Sequence, residues 1–182
     1  MFRAWLLIAL FSIAQNAQVE PKEPKPYDVD EAYKVYSVVL SEQPTNHTLL
    51  ISETTVPFNN CINREFDKSI KPAVDHYILT NKASWLLSRK FSLASEYKLL
   101  SAKEIDDLVG KPDPKGYIRR FPGGISITSL SAVGFNSDQT IAVVEESSVC
   151  GFLCGRGGLH ILEKREGKWR EMEGNASCFW MS

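Results

Sequence analysis

Cysteine has the most distinctive placement of any reactive residue type in this chain. Two of the four fall in Cys150-Gly151-Phe152-Leu153-Cys154, directly followed by Gly155-Arg156-Gly157-Gly158, while Cys61 and Cys178 stand far apart. Sulfur and imidazole from Cys150, Cys154, Cys178 and His160 are ligand types that suit zinc, but the two-pair spacing of a zinc finger is absent. As a redox pair, Cys-x-x-x-Cys is one residue longer than the usual motif, and Arg156 is the only cation close in sequence to lower a thiol pKa. Disulfides are the third use. In an extended strand, residues four apart stand about 13 Å from each other, beyond the roughly 7 Å reach of a disulfide, so Cys150 can bond Cys154 only where the chain curls. The neighbouring glycines permit that curl. Four cysteines allow three connectivities, and sequence alone does not select among them. Loop entropy assigns about 2 kcal/mol to a Cys150–Cys154 ring and about 5 kcal/mol to the long loop from Cys61 to Cys178, so we expect a local clip plus a long staple.

Gly155, Arg156, Gly157 and Gly158 could also cradle an anion or ligand through backbone amides in a turn. No helix and no phosphate-loop Lys-Ser/Thr follows, so neither nucleotide fingerprint is met, and a glycine turn that shapes the disulfide is the plainer use. His47, His76 and His160 are scattered, and Ser88, Ser126 and Ser131 lack a Gly-x-Ser-x-Gly elbow. Glu145 and Glu146 are adjacent, so on a strand they face opposite sides, as at a solvated strand end. Tyr33, Tyr36, Tyr77, Phe91, Tyr97, Trp169 and Trp180 have the spacing of core residues, with a ligand pocket as the alternative. We therefore assign no catalytic residue, no metal and no cofactor. The expected function is a non-enzymatic binding or interaction module; the alternative is a thiol-dependent or metal-assisted enzyme centred on Cys150 to His160.

These residues need elements to position them. Gln18 to Tyr27 alternates proline with charge and reads as a spacer. Asp28 or Asp30 then caps a helix with Ala32, Tyr33, Tyr36, Val39 and Leu40 on one face, ending near Pro44. Thr48 to Val56 is β-branched and alternating, a strand closed by Pro57. Pro72 opens a helix with Ala73, Val74, Tyr77 and Ile78, ending near Asn81. Lys90 to Leu100 alternates as a strand, and Ser101 with Glu104 spells a capping box for a helix through Leu108, stopped by Gly110. Ile125, Ile127 and Ser131 to Phe135 are expected as one strand. It turns at Asn136-Ser137-Asp138-Gln139 into Thr140 to Glu145. Leu159 to Lys164 and Lys168 to Met172 form a hairpin about Glu166-Gly167. The fold class is α+β: N-terminal helices packed on a C-terminal antiparallel sheet of four or more strands, braced by disulfides, with residues 28–182 as a single domain.

Residues 1–17 combine Arg3 with the apolar run Ala4 to Ile13 and read as a secretory signal peptide, with cleavage expected after Ala14 or Ala17. No cysteine stands near that site to carry a lipid, so the mature chain is expected to be exported, secreted or periplasmic, without a lipid anchor or a membrane span. Twenty-one basic against 22 acidic residues exclude the strong cationic field of a dedicated nucleic-acid binder, so no nucleic-acid partner is expected and the partner stays unknown.

Ser131-Ala132-Val133-Gly134-Phe135-Asn136, an alanine-containing strand, Cys-Gly-x-Leu-Cys-Gly-x-Gly from Cys150, and Gly167-Lys168-Trp169 resemble a family of uncharacterised exported bacterial proteins. The resemblance spans Leu86 to Trp169, with Phe91, Tyr97, Leu99, Leu100 and Glu104 in keeping, and implies no nameable activity. Cys61 and Cys178 lie outside the shared motif, which implies separate pairing of Cys150 with Cys154. Pro122-Gly123-Gly124 departs from the family's Tyr-Pro-x-Ser-x-Gly. A bacterial source also implies that the sequons at Asn46 and Asn175 carry no glycan.

Overall fold

A computed structural model describes residues 23–41, 48–56, 61–62, 64–109, 126–151, 154–172 and 178–181. The leader and its cleavage sites, residues 18–22 of the spacer, Pro44, Pro57, Gly110, residues 122–125, Phe152, Leu153 and both sequon asparagines lie outside these. No described helix is long and apolar enough to cross a membrane.

The described residues form three helices and a mixed eight-stranded sheet, an α+β fold. The first helix, α1 (Asp30–Ser41), buries Ala32, Tyr33, Val35, Tyr36, Val39 and Leu40, the stripe its spacing dictates. Asp30 is its first residue, and the Asp30 carboxylate accepts from Lys90 Nζ at 2.8 Å. The second, α2 (Lys71–Thr80), carries Pro72 in its first turn. It ends at Asn81, whose Nδ2 donates to the Tyr77 and Ala132 carbonyls while its Oδ1 accepts from the Ala132 amide. The third, α3 (Ala102–Val109), opens with the expected capping box: the Ser101 amide donates to Glu104 Oε2 at 2.9 Å, and the Glu104 amide donates back to Ser101 Oγ at 3.2 Å.

The strands are β1 (Lys25–Pro26), β2 (Leu49–Ser52), β3 (Trp85–Leu86), β4 (Tyr97–Leu100), β5 (Ile127–Leu130), β6 (Gly134–Phe135), β7 (Ile141–Gly151), β8 (Cys154–Arg165), β9 (Lys168–Glu171) and β10 (Cys178–Met181). β1 and β3 form a small parallel pair. In the main sheet the order is β10-β8-β7-β5-β2-β4, with β6 paired to β7 and β9 to β8. The purely antiparallel C-terminal sheet is thus corrected: β2 runs parallel to both β4 and β5, so N-terminal strands complete the sheet. Alternation within each strand shows which faces are apolar but is blind to strand direction. The strand expected from Ile125 through Phe135 is split, because Ala132 and Val133 give their backbone groups to Asn81 and Tyr27 rather than to a neighbouring strand. Only Tyr97–Leu100 of the expected Lys90 to Leu100 strand is extended in the sheet. Phe91 is instead buried against the rings of Tyr33, Tyr36 and Tyr97.

Helices cover the sheet on both faces. Ala142, Val144 and Leu162 join α1 in one core, while Val143, Leu159 and Ile161 meet Ala73, Val74 and Tyr77 of α2 in the other. Two-sided burial of β7 and β8 follows, and any polar residue in their middles is taken out of water.

Candidate binding site

The β7–β8 ladder pairs Val144 with His160, Glu146 with Gly158 and Ser148 with Arg156. Side chains of directly opposed residues share a face, so Glu146, Arg156 and His160 all point to the α1 side. β10 adds Phe179 opposite Gly158 and Met181 opposite Arg156 on that same face. Glu146, Arg156, Gly157 and His160, with Phe179 and Trp180, line a cavity of about 230 Å³, closed by Val39 and Met181. Its deep end is polar and its rim apolar: Glu146 and His160 are each 6% exposed, whereas Phe179 is 66% and Met181 87% exposed.

Two carboxylates act on His160. Its Nδ1 lies 2.6 Å from Glu171 Oε1 on β9, a pairing that fixes the ring orientation. Its Nε2 is buried and meets no hydrogen-bonding partner among the described residues. The edge of the ring packs against Phe179, with centroids 6.0 Å apart. Glu146 sits in the same cavity; burial pushes its carboxyl up, against the weaker pull of His160 and Arg156. Its neighbour Glu145 faces the other way. There the Tyr77 hydroxyl donates to Glu145 Oε2 at 2.8 Å, and burial again raises the carboxyl above its ordinary value.

The pair Glu145-Glu146 is therefore no solvated strand end. Each is buried, because β7 continues to Gly151 and is covered on both sides. The expected anion turn is also corrected. Gly155, Arg156, Gly157 and Gly158 are extended residues of β8, paired to β7 throughout and from Arg156 onward to β10, so their amides face strands rather than an anion. What the cavity takes from this segment is the Arg156 side chain and two missing Cβ atoms. A Cβ at Gly157 would come within 2.8 Å of the Trp180 ring, and one at Gly158 would strike the Phe179 ring. Glycine lets both aromatic rings lie on the strand.

Both disulfides are present: Cys61–Cys178, with Cα atoms 5.6 Å apart, and Cys150–Cys154, 5.2 Å apart. The second sits at the β7–β8 hairpin end, where a register shift between Val149 and Gly151 and a φ of +144° at Gly151 supply the curl. At the rise of a β-strand, Cys154 and His160 stand about 20 Å apart, so the two ends of the segment do not meet. Among the described residues no group of three His, Cys, Asp or Glu side chains is arranged to hold a metal ion.

Glu171, Phe179 and Met181 escaped the sequence reading, and Glu146 was assigned to solvent. The signal available for Glu146 was its place after the apolar run Val143-Val144 in a strand too long to be an edge; nothing local marked the other three. No protein-family model matches the chain, and neither a curated protein nor a solved structure matches it.

Proposed function

We propose that this chain is an exported, non-enzymatic binding module whose ligand site is the cavity among β7, β8 and β10. The observation that carries the reading is His160, a buried imidazole held through Nδ1 by Glu171, with Nε2 lacking a partner among the described residues in a cavity it lines. A buried polar atom left unsatisfied costs about 1–3 kcal/mol, which a ligand hydrogen bond would recover. Export and membership of the resembled family draw support from the leader-like residues 1–17, the paired cysteines and the motifs around Ser131 and Cys150. The enzyme alternative draws on the Glu171–His160 pair, which is the orienting half of an acid–base site. A thiol reaction at Cys150 or Cys154 would have to begin by reducing the bond between them.

Nuclear magnetic resonance of the full-length, unreduced protein with a library of small polar fragments tests the site. Binders should move the His160 Nε2 and Trp180 indole signals, and His160→Phe should abolish the response. Fragments that bind while leaving both signals in place would remove this cavity as the site, and turnover of a fragment would favour the enzyme. For export, mass spectrometry of natively produced material should find a chain beginning after Ala14 or Ala17 with no alkylatable thiol; an intact leader with four alkylatable thiols overturns it.

A further inference from the structure

We infer that the cavity takes a small, uncharged aromatic alcohol, with its hydroxyl on His160 Nε2 and its ring against Phe179, Trp180 and Met181. This names a ligand class for the cavity and rests on the reading of the cavity as a ligand site. His160 Nε2 carries the inference: among the described residues it is the buried polar side-chain atom of the lining that meets no hydrogen-bonding partner. Nδ1 of the same ring lies 2.6 Å from Glu171 Oε1, so Glu171 holds the imidazole in place and Nε2 is the nitrogen left for a ligand. A hydroxyl both donates and accepts, so it completes Nε2 whether or not that nitrogen carries a proton. A carbonyl only accepts and an ammonium only donates, so each would serve one state of the ring alone.

The charged groups of the cavity are already engaged. Glu146 and Arg156 each have an interaction within the molecule, and His160 and Arg156 both act on the Glu146 carboxyl. A charged ligand would enter a lining whose charges answer one another, and would lose its own hydration without gaining an uncommitted counter-charge. An uncharged molecule avoids that cost. Apart from Gly157, the remaining walls are the side chains of Val39, Phe179, Trp180 and Met181. Phe179 and Met181 leave apolar surface in water that an aromatic ring would cover, and the Met181 thioether suits a ring edge. A volume of about 230 Å³ holds a single aromatic ring with a short hydroxyl arm.

Nuclear magnetic resonance titration of the full-length, disulfide-intact protein decides the matter with four probes of one shape: benzyl alcohol, toluene, which lacks the hydroxyl, benzylamine, a cation, and benzoate, an anion. Benzyl alcohol should move the His160 Nε2 and Trp180 indole signals and bind about tenfold tighter than each of the other three. His160→Phe should bring benzyl alcohol down to the level of toluene, read at Trp180, and leave toluene unchanged. Met181→Ala, at an exposed position that the fold does not depend on, should weaken benzyl alcohol and toluene alike. The wild-type comparison of the four probes stands even where His160→Phe fails to fold. Toluene that matches benzyl alcohol would overturn the hydroxyl contact, benzylamine or benzoate that matches it would overturn the uncharged ligand, and no binding of benzyl alcohol would overturn the proposal outright. Where benzyl alcohol fails but another fragment of the library moves the His160 Nε2 signal, this ligand class falls and the cavity stays a ligand site. Failure of the whole library to move that signal removes the site itself.

Discussion

Glu146 is a carboxyl group that the fold takes out of water and leaves next to an imidazole. Because burial raises its pKa above the ordinary 4.5, the folded chain holds this proton more tightly than the unfolded chain does. The contribution to stability is then full below the ordinary value and is lost as pH rises through the raised one. Glu146→Gln fixes the protonated shape. The variant should match wild type near pH 4 and be the more stable of the two at pH 7 in urea denaturation; a gap that stays constant with pH would show the carboxyl to be unperturbed. A second single-residue device is Gly134, where α2 meets β6. A Cβ there would collide with the Ala73 carbonyl and the Tyr77 backbone amide, both of them rigid backbone. Gly134→Ala should therefore destabilise the protein by about 2–3 kcal/mol, read from the urea midpoint. The rest of the Ser131 to Asn136 motif is equally structural. Ser131 Oγ accepts from the Glu145 amide, Val133 pairs with the Tyr27 hydroxyl, the Phe135 amide donates to His76 Nδ1, and Asn136 Oδ1 accepts from the Thr140 and Ile141 amides. These contacts report how the sheet is built rather than what it binds.

Among the elements, α1 is linked to the C-terminal hairpin by the Glu31 side chain as well as by the shared core. Burial acts to raise the Glu31 carboxyl, but hydrogen bonds from Lys164, Lys34 and Trp169 Nε1 together outweigh it and hold the group at about 2. The contacts are 2.7, 2.9 and 2.6 Å long. A depressed carboxyl contributes above its ordinary pKa and loses that contribution as pH falls from 4.5 toward 2. With the exposed Lys34 discounted for solvent screening, Glu31→Gln should cost about 2 kcal/mol at pH 7, and the difference from wild type should vanish toward pH 2. Acid unfolding curves of the two proteins check both statements. Local elements of this kind were legible in advance: the α1 stripe, Pro72 at the start of α2, the Ser101–Glu104 box and the Glu166-Gly167 turn, where φ is +51° and +76°, all follow from contacts within a few residues. Strand direction was not, because β2, β4 and β5 find one another across long stretches of chain and their alternation reads the same either way. The cavity was hidden for the same reason. Glu146, His160, Glu171 and Phe179 come from four strands, and only the register of β7 and β10 on β8, together with β9, brings them together.

At the scale of the whole molecule, the two disulfides do different work. Cys150–Cys154 closes a short ring at one end of the β7–β8 hairpin, whereas Cys61–Cys178 joins the core beneath α2 to β10, which ends the described sheet on one side. β10 is four residues long and among the described residues pairs with β8 alone, so its own ladder is a weak attachment. Yet it carries Phe179, Trp180 and Met181, the apolar wall of the cavity. The staple thus holds the site together as well as the chain. Replacing Cys61 and Cys178 with alanine should cost about 3–5 kcal/mol, against about 2 kcal/mol for the Cys150 and Cys154 pair, because the longer loop removes more entropy from the unfolded chain. Urea denaturation should rank the two double variants in that order. The Trp180 indole signal should separate them further: unchanged without the local clip, but shifted to a solvent-exposed position without the staple, even under conditions where circular dichroism shows the rest of the sheet intact. A Trp180 signal that stays put without Cys61–Cys178 would mean that the β10–β8 ladder, with both aromatic rings lying on Gly157 and Gly158, suffices to hold the wall.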